Sequence, residues 1–113
     1  MHIHYISEQN SILNHFLAQI RDVNIQKDSM RFRKNIERIG EIMAYELSKT
    51  LDYKEIDVQT PLGIKHTTTI AEPVVLCSIL RAGLALHQGF MSFFDNAENG
   101  FVSAYRHHYD NDD

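Results

Sequence analysis

The sequence predicts an α/β protein, and three stretches carry the prediction. Ile12, Phe16 and Ile20, then Phe32, Ile36, Ile39, Met43 and Leu47, recur at the three-and-four spacing of amphipathic helices. Between Tyr53 and Thr60 the period changes to two, as on a strand with one wet face. From Val74 to Leu80 the chain is continuously apolar or small, the pattern of a strand buried on both faces inside a parallel sheet.

The first helix runs from about Ser11 to Val23. A polar break at 24–29 follows, and Asp28 or Ser29 can cap the next helix by accepting from its free N–H groups. That helix, the longest element, continues to about Leu51, with Arg33–Glu37 and Arg38–Glu41 as pairs on its wet side. Pro61-Leu62-Gly63 is turn chemistry, so Tyr53–Thr60 and Ile64–Thr69 form a hairpin arm over 53–69.

The strand from Val74 to Leu80 meets Arg81, Ala82 and Gly83, and a helix from about Gly83 to Phe94 follows. Gly83 permits a tight turn at that junction. After a loop at 96–100, Phe101–Tyr105 reads as a second strand, making a parallel, right-handed βαβ unit over 74–105. Residues 106–113, polar and acidic, read as a flexible loop. The whole is part of one domain, with helices at 11–51, the arm, the βαβ unit and the loop. So small a sheet resembles a domain cut in half.

Composition narrows the function. At 113 residues and 43% hydrophobic, the chain can build a core, and its net charge of −4 argues against nucleic-acid binding by bulk charge. The single cysteine, Cys77, fits a small hydrophobe packed in the strand and a reducing, cytoplasmic setting. The N-terminus lacks the basic and apolar blocks of a signal peptide, and no apolar run reaches the ~20 residues that span a membrane. His2, His4, His107 and His108 lack the helical spacing of a metal motif. Phe90, Met91, Phe93 and Phe94 read as helix core.

Arg81 carries the chemistry. At the carboxyl end of a central strand and beside a helix N-terminus, a guanidinium faces the crevice where open α/β sheets bind ligands. An anion, phosphate or pyrophosphate, is what such a place attracts. Arg106 ends the next strand in the same way. Arg31 and Arg33 fit a wet helix face or a subunit contact.

Ile79-Leu80-Arg81-Ala82-Gly83-Leu84, with Arg31-Phe32-Arg33 before it and Tyr105-Arg106 after it, resembles the uracil phosphoribosyltransferase family over roughly Ile12 to Asp113. The resemblance implies a type I phosphoribosyltransferase fold, a Rossmann-like parallel sheet of which this chain is the N-terminal half. It implies formation of UMP and pyrophosphate from uracil and phosphoribosyl pyrophosphate (PRPP), with Mg²⁺ carried in by PRPP. Arg81, Ala82 and Gly83 match the loop that takes the pyrophosphate, Arg106 matches a second PRPP-binding arginine, and the segment after it matches a closing loop. The 53–69 arm implies a homodimer or higher oligomer, and GTP regulation is left open. No residue is assigned as catalytic or as a metal ligand.

Ser78 stands where the family usually has proline, Gln88 where it has an acidic residue, and His107 where it has an acidic residue or asparagine. The family's Ala-Thr-Gly-Gly PRPP loop and its later uracil-recognition segment are absent from the sequence. The expectation is therefore an enzyme half that works with its missing C-terminal half. The alternative is a truncated, catalytically inactive family member acting as a binding or assembly partner.

Overall fold

The computed structural model describes residues 3–80 and 83–103. Its elements are α1 (Ile12–Arg21), α2 (Ser29–Ser48), β1 (Tyr53–Thr60), β2 (Gly63–Ile70), β3 (Val75–Leu80), α3 (Leu84–Phe93) and β4 (Glu98–Ser103). Short 3-10 turns at Ile6–Glu8 and Ile25–Lys27 precede α1 and α2.

Both N-terminal helices start at side-chain caps. Ser11 Oγ accepts from the Leu13 N–H at 3.2 Å, and Asp28 Oδ1 accepts from the Arg31 N–H at 3.1 Å. Between them Asp22 Oδ1 accepts from the N–H groups of Asn24 and Ile25, turning the chain back so that α1 lies along α2.

The buried stripe of α2 is rotated from the face that the apolar spacing suggests. It consists of Asn35, Ile39, Gly40 and Ala44, while Phe32 and Leu47 are exposed. Two neighbours cause the rotation. Asn35 is wholly buried and donates to Gln19 Oε1 of α1 at 2.7 Å, while accepting from Arg38 at 3.1 Å. Gly40 meets α3 backbone to backbone: a Cβ there would lie 2.5 Å from Leu86 O, and its Cα neighbours Gly89. A stripe of small residues lets the helix axes approach where bulky ones could not. The expected ion pairs also differ. Glu37 pairs with Lys34 at 3.5 Å, and Arg38 turns to Asn35 and to the face of Phe16, 5.3 Å from its centroid.

β1 and β2 form an antiparallel hairpin in register Tyr53↔Ile70 through Thr60↔Gly63. Most of its residues are exposed on both faces, Val58 and Ile64 included. With the hairpin projecting, the molecule measures 68 × 32 × 30 Å, and its radius of gyration is 18.6 Å. A compact domain of about 100 residues has about 13 Å.

β3 and β4 pair in parallel, Val75↔Glu98 through Leu80↔Ser103, on either side of α3. One face of this two-stranded sheet packs on helices. Leu76 joins Ala44 and Phe94 in the core, with Leu51, Ile70, Val74, Phe90, Met91 and Ala97 around them. The other face is bare: Val75 is 64% exposed, Ile79 61% and Val102 52%. The prediction of a strand buried on both faces fails here, because no layer among the described residues covers the second face. Cys77 shares that face and is exposed instead of packed. Phe93 also stands out of the core, 51% exposed, leaving Phe90, Met91 and Phe94 to fill it. β4 begins at Glu98, earlier than the sequence pattern places it.

Candidate functional site

The candidate site lies at the carboxyl end of β3, where the chain turns into α3. Of the residues singled out from the sequence, Gly83 is described; Arg81, Ala82 and Arg106, with the segment after Arg106, lie outside the described residues. Gly83 is the N-cap of α3, with φ −78° and ψ −5°, a conformation open to any residue. Its glycine identity answers to space: a Cβ would stand 2.8 Å from Ile79 O.

The turn is closed by main-chain bonds on both sides. The Gly83 N–H donates to Ile79 O at 3.0 Å, and Gly83 O accepts from the His87 N–H at 2.9 Å. The Gly83 N–H is thus engaged inside the turn. Gly83 also brings no side chain to cap the helix. An anion at this end would therefore meet the first-turn N–H groups of α3 and the positive end of its dipole.

The sequence reading missed two features. A depression of about 370 Å³ beside the first turn of α3 is lined by Met30, Arg33, Lys34, Glu37, Leu84, Ala85 and Gln88. It brings the cationic start of α2 next to the helix end that Gly83 opens, although Arg33 is far away in sequence. The second is a half-buried polar contact between α3 and the sheet, Ser78–His87–Asn99. The departure from proline at Ser78 was its single visible trace. Among the described residues, no three His, Cys, Asp or Glu side chains gather as a metal site, and no helix is long and apolar enough to cross a membrane.

A parallel strand, a tight glycine turn and a helix on one sheet face, preceded by a hairpin arm, constitute a partial phosphoribosyltransferase fold. The comparisons give its branch. The family profile of uracil phosphoribosyltransferase matches residues 6–112, and the chain belongs to that family. It is 49% identical over 110 residues to a uracil phosphoribosyltransferase of Porphyromonas gingivalis, covering 97% of this chain and 51% of that protein. A uracil phosphoribosyltransferase of Sulfolobus acidocaldarius is 42% identical over 98 residues, covering 84% of this chain and 44% of its own length. Among solved structures, the AQ2163 protein from Aquifex aeolicus superposes with a TM-score of 0.68 at 27% identity, over 82% of this chain and 44% of the other. The chain spans about half the length of the curated relatives it matches.

Proposed function

We propose that this chain supplies the pyrophosphate side of a uracil phosphoribosyltransferase that joins uracil to Mg²⁺–PRPP, giving UMP and pyrophosphate. The observation that carries the reading is the family match along nearly the whole chain, which takes in a glycine turn at the end of a parallel strand. Transfer builds positive charge on the ribose while pyrophosphate leaves with growing negative charge, so positioning and electrostatic stabilisation dominate. Arg81 would fork two N–H donors onto phosphate oxygens, with the first turn of α3 behind it, and Arg106 would reach the same substrate from the end of the next strand. Mg²⁺ enters as part of the substrate, held largely by phosphate oxygens and water.

The bare face of the β3–β4 sheet supports a second polypeptide portion. Parallel sheets are covered on both faces, and Val75, Ile79 and Val102 stand exposed where the relatives have about as much chain again. The occupant proposed is the C-terminal half of the family's own sequence. The 53–69 arm would contribute a homo-oligomer contact, and GTP regulation belongs to the same proposal as an open part.

The assay is UMP formation from uracil and Mg²⁺–PRPP, by this chain alone and mixed with the C-terminal half of the Porphyromonas gingivalis relative. Activity in the mixture supports the reading, and Arg81→Ala should then lower turnover by ~2.7–4 kcal/mol of transition-state stabilisation. A mixture that binds yet stays inactive favours the second reading, an assembly partner without catalysis. Orotate and hypoxanthine as competing substrates test the choice of base.

A further inference from the structure

His87 occupies a place where an apolar side chain would be expected. It lies on the sheet-facing side of α3, 5% exposed, with the Phe101 ring 4.9 Å away. Its Nδ1 is 2.6 Å from Ser78 Oγ on β3, and its Nε2 is 2.8 Å from Asn99 Oδ1 on β4.

Proton positions follow from the partners. Asn99 Nδ2 faces Ala97 O at 3.4 Å and donates to it, so Oδ1 is the atom turned to the ring. An amide oxygen can only accept, so Nε2 carries the proton. With that single proton on the ring, Nδ1 accepts from the Ser78 hydroxyl. The order Ser–His–Asn invites comparison with a hydrolase triad, but Ser78 lies on the helix-covered face, paired in register with Phe101. The Ser78 hydroxyl points under α3, to the His87 ring.

The three residues instead tie the start of α3 to both strands. Ser78 precedes the turn on β3, His87 follows it by one helical turn, and Asn99 lies on the neighbouring strand. His87 also holds the turn through its main chain, by the N–H donated to Gly83 O. Side chain and backbone of one residue thus fix the first turn of α3 against both strands. A proline at position 78, usual in the family, could not donate this bond.

We propose that His87 is a positioning residue for the pyrophosphate-side end of α3: its ring, held between Ser78 and Asn99, sets where the first turn of α3 stands over the sheet. The proposal rests on the phosphoribosyltransferase reading for the ligand, and on the Ser78–His87–Asn99 geometry for the clamp.

The test uses nitrogen-15 NMR of the imidazole, amide hydrogen exchange, and calorimetric binding of Mg²⁺–PRPP to the chain paired with the relative's C-terminal half. The ring should show a protonated Nε2 and a bare Nδ1; the opposite tautomer overturns the clamp. Ser78→Ala removes one bond at little risk to the fold, and His87→Leu removes both. In Ser78→Ala, exchange at Gly83 and His87 should quicken about tenfold while Ile39 and Ala44 keep their rates, and PRPP should bind about tenfold more weakly. His87→Gln, keeping a donor, should recover part of both. Uniform acceleration, or local acceleration with unchanged PRPP affinity, overturns the positioning role. Failure of the wild-type pair to bind PRPP removes the enzyme reading instead, and the exchange rates then decide the clamp by themselves.

Discussion

At Gly89 the backbones of α2 and α3 come together so closely that a Cβ would collide with Glu37 O and stand 2.9 Å from the Gly40 Cα. Neither atom can move without shifting a whole helix. Gly89→Ala should therefore lower unfolding free energy by at least ~3 kcal/mol, against the usual gain of putting alanine for glycine in a helix. Urea denaturation checks it, and an unchanged midpoint would mean that the helices stand further apart than described. Asn35 is the polar counterpart. The Arg38 guanidinium can only donate, so Asn35 Oδ1 must accept and its Nδ2 must donate to Gln19 Oε1; Gln19 Nε2 is then left to donate to His15 Nε2, 3.0 Å away. Removing the middle of this chain by Asn35→Ala strands Gln19 and Arg38 and should cost ~1–3 kcal/mol. The Asn35→Ala, Gln19→Ala double-mutant cycle measures the coupling directly, and additive losses would show that the contact adds nothing.

The hairpin behaves as an element apart. Its tip is held by Thr60, whose hydroxyl donates to Gly63 O at 2.7 Å, and Gly63 has φ 138°, a backbone region that glycine enters freely and other residues do not. Halfway along, His66 and Asp57 face each other as register partners, both exposed, so their ion pair adds little. Gly63→Ala should strain the turn by ~1–3 kcal/mol. Because the tip touches nothing else among the described residues, the loss should appear as faster amide exchange in β1 and β2, with the melting of the helical core barely changed. A matching drop in core stability would show that the arm and core unfold together. The helices and the arm were legible in the sequence because each depends on local spacing: the apolar steps from Ile12 to Ile20, Asp28 as a cap, the alternation through Val58, the turn at Pro61–Gly63. The rotated stripe of α2 was not, since its cause is the distant Gln19 and Gly89.

For the molecule as a whole, the bare β3–β4 face is the dominant fact. Exposed Val75, Ile79 and Val102 form an apolar surface on a sheet type that is otherwise covered. Cys77 lies among them and reports on it. In the native chain a thiol reagent such as DTNB should label Cys77 at a rate near that of an accessible thiol. Docking of the family's C-terminal half should slow labelling about tenfold or more, as expected for a thiol that local opening must expose. Unchanged labelling in a stable complex would place the contact elsewhere.

The sequence by itself determined the element order, the parallel pairing around α3, and the family, because periodicity, caps and the Arg81-Ala82-Gly83 motif are local signals. The tertiary structure decided which faces are covered. It left Cys77 open, set the small-residue seam of α2 against α3, and brought Ser78, His87 and Asn99 into one contact. The physical reason is the same in each case. Burial and side-chain hydrogen bonds are properties of pairs of surfaces, and the partners stand on different elements, where no local spacing in the chain records them.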